Sequence, residues 1–445
     1  MKIGGKLRGP GKITRRRFLA AAGSGVALAA GARLGSNLPG WRAVHAAPAK
    51  TLRIGIYAYM TQGIPFDQVV KNYQQTHPDV ALVVEPLPGA VVADWPATVR
   101  KLTLEARQRQ ASVDLLIGPT PWIEPAPLAQ AQAIEPLEGL LPKQIVNDLY
   151  RSVLREATSS EDGKMYVLPW WTDVTGLIYR RSYLQEGAGT DRPPETWEQV
   201  LAYSEKIRAR FGTRVYGYGA DWWASHRLFL PIYVTLTREP YDKDGIWKYE
   251  GDAFQETLGL IQKLNAFMPA ASQQDLGSSR VFQAGGLAMQ SYWQTQMLRA
   301  LQAGQPASDV FMAPNPRGRH SGTIFWTAGA IIPKHSGNKE EAARFMVEGM
   351  LDPFTVQKTF DNYKIVPYHS IIAKMGDKVP AWAPPLLGTL SSAQPIPMNP
   401  YWLSVEQPIF KEEIERMVLQ SQPLQATRAN IARRIQEKLK ELGKR

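Results

Sequence analysis

Two pairs of adjacent tryptophans, Trp170-Trp171 and Trp222-Trp223, are the residues of this chain best suited to contact a ligand. An indole offers a large apolar face and one polar N–H, which suits ligands that present both C–H faces and hydroxyls. Neighbours on a strand point to opposite faces, so two adjacent tryptophans do not both enter one core; in a loop both can face a cleft. The pairs are therefore expected in loops that face a cleft. The chain has 13 tryptophans, and Trp293, Trp326, Trp382 and Trp402 stand singly. Core packing is the competing role, assigned here to Trp197, which opens a helix on its apolar stripe. Asp173 and Asp221 can accept hydrogen bonds from hydroxyls, the usual complement to stacking. For Asp173 a turn or N-cap role carries equal weight.

The equipment of catalysis is missing. Ser336-Gly337-Asn338-Lys339 fits S-x-x-K, a serine nucleophile box, but its companions S-D-N and K-T-G are absent and a helix cap explains the segment better. Gly217-Tyr218-Gly219 lacks the third glycine of a dinucleotide fingerprint. There is no G-x-S-x-G, no H-E-x-x-H and no Walker loop. No cysteine is present, which removes disulfides, thiolate metal sites, a cysteine nucleophile and the acylated cysteine of a lipoprotein. The histidines, at 45, 77, 226, 320, 335 and 369, have no metal-ligand spacing. No catalytic residue, metal or cofactor is expected.

Thr14-Arg15-Arg16-Arg17-Phe18-Leu19 matches the twin-arginine export pattern, and an alanine-rich apolar run follows to Ala32. That run is shorter than the roughly 20 residues that span a bilayer, which argues against an uncleaved anchor. Residues 1–46 are read as a cleaved signal, with cleavage after Ala46 or Ala49, and the twin-arginine translocase as a transient partner. These residues hold nine Lys or Arg and no acid, so the remainder carries 43 basic and 40 acidic residues, a net charge of +3 in place of +12. The basic character that would suggest nucleic acid belongs to the export label. No second apolar run approaches spanning length, and about 400 residues exceed what one core usually supports, so a soluble, two-lobed protein is expected.

Thr51–Tyr57 alternates as a strand, Phe66, Val69, Val70 and Tyr73 mark one face of a helix, and Val80–Glu85 reads as a second strand. Lys101–Gln110 is a polar-faced helix and Asp114–Gly118 a buried strand ending in Gly-Pro. Such alternation implies a helix-covered parallel sheet whose ligand sits beyond the carboxyl ends of the strands. Tyr57, Tyr59 and Trp122 fall in those loops. Thr196 is an N-cap with Gln199 completing a capping box, and Ser336–Asn338 caps another helix with Ala342, Phe345 and Met346 inside. In the last helix Ile431, Ile435, Leu439 and Leu442 face inward and the basic residues form a solvated face.

Residues 162–207, "DGKMYVLPWWTDVTGLIYRRSYLQEGAGTDRPPETWEQVLAYSEKI", resemble the signature of family-1 extracellular solute-binding proteins, the maltose-binding-protein-like receptors of ABC importers. "VFQAGGLAMQSYW" (281–293), "AIIPKHSGNKEEAARFMVEGMLDPFTVQ" (330–357) and the closing "IFKEEIERMVLQSQPLQATRANIARRIQEKL" agree in order. The chain departs from the pattern at Arg180-Arg181, where many members have Asn-Lys, and at Trp326-Thr327, where many have Gly-Gly. The second change puts a bulky platform where relatives have a small-residue approach to the ligand.

The resemblance implies an α/β two-lobe periplasmic-binding-protein-like fold (type II) of mostly parallel, helix-covered sheets. Lobe 1 would comprise 50–134 and 322–358, lobe 2 135–321 and 359–445, with crossings near 132–137, 315–325 and 356–364. It further implies a monomeric periplasmic or extracellular receptor that passes a sugar or oligosaccharide to a membrane permease. By position, Trp293 and Trp402 would stack on ligand. Trp170, Trp171 and Asp173 would contact it from the loop after the Leu-Pro turn, with Trp222 or Trp223 adding another aromatic. Two alternatives stay open: a cationic or other non-sugar ligand held in an aromatic cage, and an exported carbohydrate-active enzyme using two carboxylates.

Overall fold

The computed structural model describes residues 50–61, 63–87, 95–221, 225–274 and 276–444. The expected signal at 1–46 and the pair Trp222-Trp223 lie outside them. Apolar alternation places β1 (Lys50–Tyr57) as expected, with β2 (Val80–Leu87) and β3 (Leu115–Ile117) parallel on either side of it. Next come the long β4 (Leu168–Arg180), then β5 (Tyr216–Gly219), β6 (Leu287–Trp293), β7 (Val310–Ala313), β8 (Ile324–Ile331) and the short β9 (Gln394–Pro395). They join in the order β2-β1-β3-β8-β4-β6-β5, with β7 on β4 and β9 on β8.

The sheet is mixed. Mostly parallel pairing is expected, and it holds for β1 with its neighbours, for β5 with β6 and for β8 with β9. β4 and β8 run antiparallel to each other, and β4 also to β6 and β7, because these two strands carry the chain between two cores. One hydrophobic cluster gathers Leu52 to Val174 and Phe325 to Met398; the other gathers Leu177 to Ile324 and Ile396 to Leu439. The crossings therefore lie within β4, at the start of β8 and near residues 396–401. Ala133, Ile134, Leu137, Val356 and Phe360 all pack in the first cluster. The buried apolar residues from Leu137 to Val174 also pack in it.

Local signals set the helices. Thr196 caps the helix Trp197–Phe211 by accepting from the Gln199 amide, and Gln199 returns the bond to the amide of Glu195, one residue before the expected place. Trp197 is buried and donates to Thr235, as a core residue. The helix expected from Lys101 begins earlier, at Trp95, and ends at Arg107. Asn338 caps the helix Lys339–Glu348 without a side-chain bond. The Ser336 hydroxyl donates instead to Asp114 (3.1 Å), and Lys339 pairs with Glu135 (3.0 Å), so the two side chains of S-x-x-K serve separate structural partners. In the last helix, Leu424–Glu441, Ile431, Ile435 and Leu439 are buried, whereas Leu442 is exposed beyond its end. Arg433 and Lys438 pair with Glu437 and Glu441 on a solvated charged face, whereas Arg434 turns towards Glu412 and the buried Glu413. No helix among the described residues is long and apolar enough to cross a membrane.

Candidate functional site

Trp170 and Trp171 sit in a strand and not in a loop. The β4–β8 register shifts between Pro169 and Trp171, so Trp170 is the extra residue of a bulge. A bulge sets two residues against one and re-aims a side chain, and both indoles are buried with the first core. Simple strand alternation does not separate the two indoles, because the bulge breaks it at this residue. Beyond the bulge, Asp173 pairs with Trp326 of β8.

Three indoles then meet at the crossing. The Trp171 and Trp326 rings are edge-to-face at 5.0 Å, and the Trp326 and Trp293 rings are 6.2 Å apart. They come from β4, β8 and the end of β6, and Trp326 packs against both cores. Gln294 ties these strands together. Its amide donates to the Thr172 carbonyl (3.1 Å) and to Asp173 Oδ1 (2.9 Å), and its oxygen accepts from the Val174 amide (2.6 Å). Asp173 also accepts from the Thr295 hydroxyl at 3.3 Å. Burial pushes the Asp173 carboxyl up to about 7, against the opposing pull of the Lys364 and Arg299 charges. Lys364 lies with its ammonium 4.0 Å from the centre of the Trp171 ring, and burial lowers it to about 8.

The loops after β1 and β3 supply the first-core side. Tyr57 is buried and packs on Gly118, where an added Cβ would lie 2.7 Å from the Tyr57 ring. Glu124 accepts from the Thr120 amide (3.2 Å) and contacts the Tyr57 hydroxyl, and its full burial raises it to about 7. Trp122 follows β3 yet packs with the second core, so it bridges the two. Its indole contacts Glu156, a carboxyl that burial holds well above the usual carboxylate range beside Thr327. Thr327 adjoins Trp326 on β8, and neighbours on a strand face opposite sides of the sheet, so this carboxyl lies across β8 from the Trp326 indole.

Trp171, Asp173, Trp293 and Trp326 thus gather where the two cores meet, while Tyr57 and Trp122 belong to a separate group around Glu124 and Glu156. Trp402 is placed apart from the three-indole array. It is buried in the second core with its ring 5.7 Å from Trp247. Its neighbour Tyr401 receives a bond from Gln130 of the opposite side (3.0 Å). Asp221 accepts from the Ser278 amide and hydroxyl (2.8 and 2.6 Å) and pairs with Arg227 (3.1 Å), a structural commitment. Sequence reasoning missed Gln294, Lys364, Glu124 and Glu156. Only Lys364 had a visible signal, a lone cation before the apolar Ile365-Val366. A separate groove of about 810 Å³, lined among others by Arg151, Arg155, Tyr241 and His320, contains none of these aromatic residues. The indole cluster is the better candidate because its groups match a hydroxylated ligand. Among the described residues no group of three or more His, Cys, Asp or Glu could hold a metal ion.

Comparison with known proteins gives a match of residues 57–347 to the family model of the bacterial extracellular solute-binding protein. Over 174 residues the chain is 29% identical to a Brucella abortus protein named as a binding protein, covering 39% of each. It is 24% identical over 264 residues to the mannitol-binding protein of Pseudomonas aeruginosa, covering 51% of this chain and 57% of that one. The matched part thus spans about two fifths to under three fifths of these relatives' length. The sugar-binding protein MalE of Xanthomonas citri superimposes with a TM-score of 0.74 at 18% identity, over 88% of this chain and 98% of that chain. Maltose-bound MalE3 of T. maritima gives 0.71 at 16% identity, over 88% and 100%. At these identities the structural likeness speaks for the fold.

Proposed function

The chain belongs to the bacterial extracellular solute-binding proteins, and from that premise we propose that it is an exported receptor for a sugar or oligosaccharide. The observation that carries this reading is the array Trp171–Trp326–Trp293, built on strands that cross between two cores and flanked by the Asp173 carboxyl. Stacking platforms beside hydrogen-bonding groups suit a polyhydroxylated ligand. A ligand that touches both sides of such a junction stabilises the closed arrangement, because its affinity differs between open and closed states. The closed form would then be presented to an ABC permease, with the receptor acting as a monomer in the periplasm or outside the cell. We take the lobes to follow the two cores, 50–174 with 325–395 and 177–324 with 399–445. Tyr57, Trp122, Trp170 and Trp402 remain proposed ligand contacts beside the central array or apart from it, and Trp222-Trp223, outside the described residues, stay proposed from sequence position alone.

The cationic-ligand alternative is opposed by Lys364, whose ammonium already occupies the Trp171 face that a cation would use. The enzyme alternative has buried carboxyls available in Asp173 and Glu156. Glycoside turnover abolished by Asp173→Asn or Glu156→Gln would establish it and overturn the receptor reading.

The receptor reading is tested by calorimetry on a sugar found in a thermal-shift screen. Trp293→Ala and Trp326→Ala are each expected to weaken binding by about 1–3 kcal/mol, roughly 5- to 150-fold. Unchanged affinity, with only the ligand-free melting temperature lowered, would make both residues core packing. The export reading predicts that Arg15→Lys/Arg16→Lys leaves precursor in the cytoplasm by fractionation and immunoblot. Normal export of this variant would refute the twin-arginine assignment.

A further inference from the structure

Lys364 is a buried cation that the protein itself does not satisfy. Only 8% of its surface is exposed. Tyr363, at a left-handed φ of 56° and stacked on Trp382 at 5.0 Å, turns the chain so that Lys364 leaves the end of the helix Pro353–Asp361 towards the crossing. The Lys364 amide is used locally, donating to the Thr359 carbonyl at 3.2 Å. Its ammonium rests on Trp171 and, among the described residues, makes no hydrogen bond and no ion pair within 4.0 Å. An ammonium carries three donors and no acceptor, and the Lys364 nitrogen, unlike the indole nitrogens of Trp171 and Trp326, is not sealed from solvent, so its donors are open to water or to a ligand acceptor.

The charged groups that act on it are Asp173 and Arg299. Asp173 is occupied by Gln294 and Thr295, and Arg299 adds a second positive charge to the same region. The junction therefore holds surplus positive charge and free donors beside aromatic platforms. In a low-dielectric site such donors favour an ionised acceptor over a neutral hydroxyl. A ring ligand stacked near Trp326 and Trp293 would bring an acidic substituent to this place.

We propose that the ligand is an anionic carbohydrate, a sugar carrying a carboxylate or phosphate, whose acidic group pairs with Lys364 while its ring lies against Trp326 and Trp293. This rests on the sugar-receptor reading above and narrows it. The test is calorimetry on the full chain with matched pairs: glucose against glucuronate and glucose 6-phosphate, galactose against galacturonate, mannitol against mannonate, and maltose against maltobionate. At least one acidic member is expected to bind about 10- to 150-fold more tightly than its neutral counterpart. The carboxylate and phosphate arms identify which group is preferred. Lys364→Gln is expected to bring the pair within about fivefold of each other while keeping the ligand-free melting temperature. Neutral members binding as tightly as the acids, or a preference that survives Lys364→Gln, would overturn the inference and leave the sugar reading standing. Binding of no carbohydrate at all would overturn both. If Lys364→Gln fails to fold, the wild-type pairs alone decide.

Discussion

Replacing Gly329 by valine is expected to cost about 3–5 kcal/mol of stability and to remove most soluble protein. Gly329 sits in β8 with backbone on both flanks. Its amide donates to the Pro119 carbonyl (3.0 Å) and its carbonyl accepts from the Gly118 amide (2.8 Å) on one side, and it pairs with Pro169 on the other. A Cβ there would lie 2.3 Å from the Leu168 carbonyl oxygen and 2.5 Å from Val167 Cγ1. The first is main chain in a buried strand, so no side-chain rotation relieves the clash; the strands must separate and their hydrogen bonds lengthen. Overpacking of this kind in a close-packed interior is destabilising, and backbone clashes lie at the severe end. Denaturant unfolding of Gly329→Ala and Gly329→Val measures the effect. A valine variant within about 1 kcal/mol of wild type would show that this crossing tolerates widening.

Stability is also expected to fall as pH rises from about 5 to 8, the reverse of the usual acid lability. Burial raises Glu406 to about 8, and Glu124 and Asp173 each to about 7, from ordinary values near 4 to 4.5. A carboxyl whose folded value exceeds its unfolded one binds its proton more tightly in the folded state. Its contribution is complete below the unfolded value and is lost as pH climbs through the folded one. Each such group adds a slope of about 1.4 kcal/mol per pH unit across that window. Glu406 is the cleanest probe because it stands away from the indole array. Its Oε2 accepts from the Trp247 amide and the Tyr249 hydroxyl, both at 2.9 Å, bonds that a glutamine oxygen can keep. Glu406→Gln should match wild type at pH 5 and exceed it at pH 8 by about 3–5 kcal/mol. Urea midpoints at both pH values provide the check, and equal pH profiles for the two proteins would refute the assignment.

What was legible in the residues depended on how local the determinant was. β1, β2 and the cap at Thr196 follow from patterns within a few residues, and the structure has them. Trp293 and Trp326 were found through motif position, and the geometry brings their rings together. The Trp170-Trp171 pair was misplaced into a loop because a bulge is set by the partner strand, which no window around the pair contains. Lys364 was missed for a related reason. Its meaning comes from Trp171, far away in sequence, and a lone lysine gives no periodic signal. The division between the two cores is not legible locally, because hydrophobic residues on either side of it look alike; only packing divides Val174 from Leu177 or Ile324 from Phe325.

The pairing of β3 with β8 has a consequence for synthesis on the ribosome. Leu115–Ile117 is apolar throughout, and one of its edges stays open until Ala330 and Ile331 arrive. At about 5–20 residues per second, roughly 10–40 s of translation separate the two strands. Throughout that interval the nascent chain displays an unpaired, sticky edge, a substrate for chaperones and for aggregation. The second core is closed later still, by Ile431, Ile435 and Leu439 near the end of the chain. The first core therefore cannot be completed before β8 is made, nor the second before the closing helix.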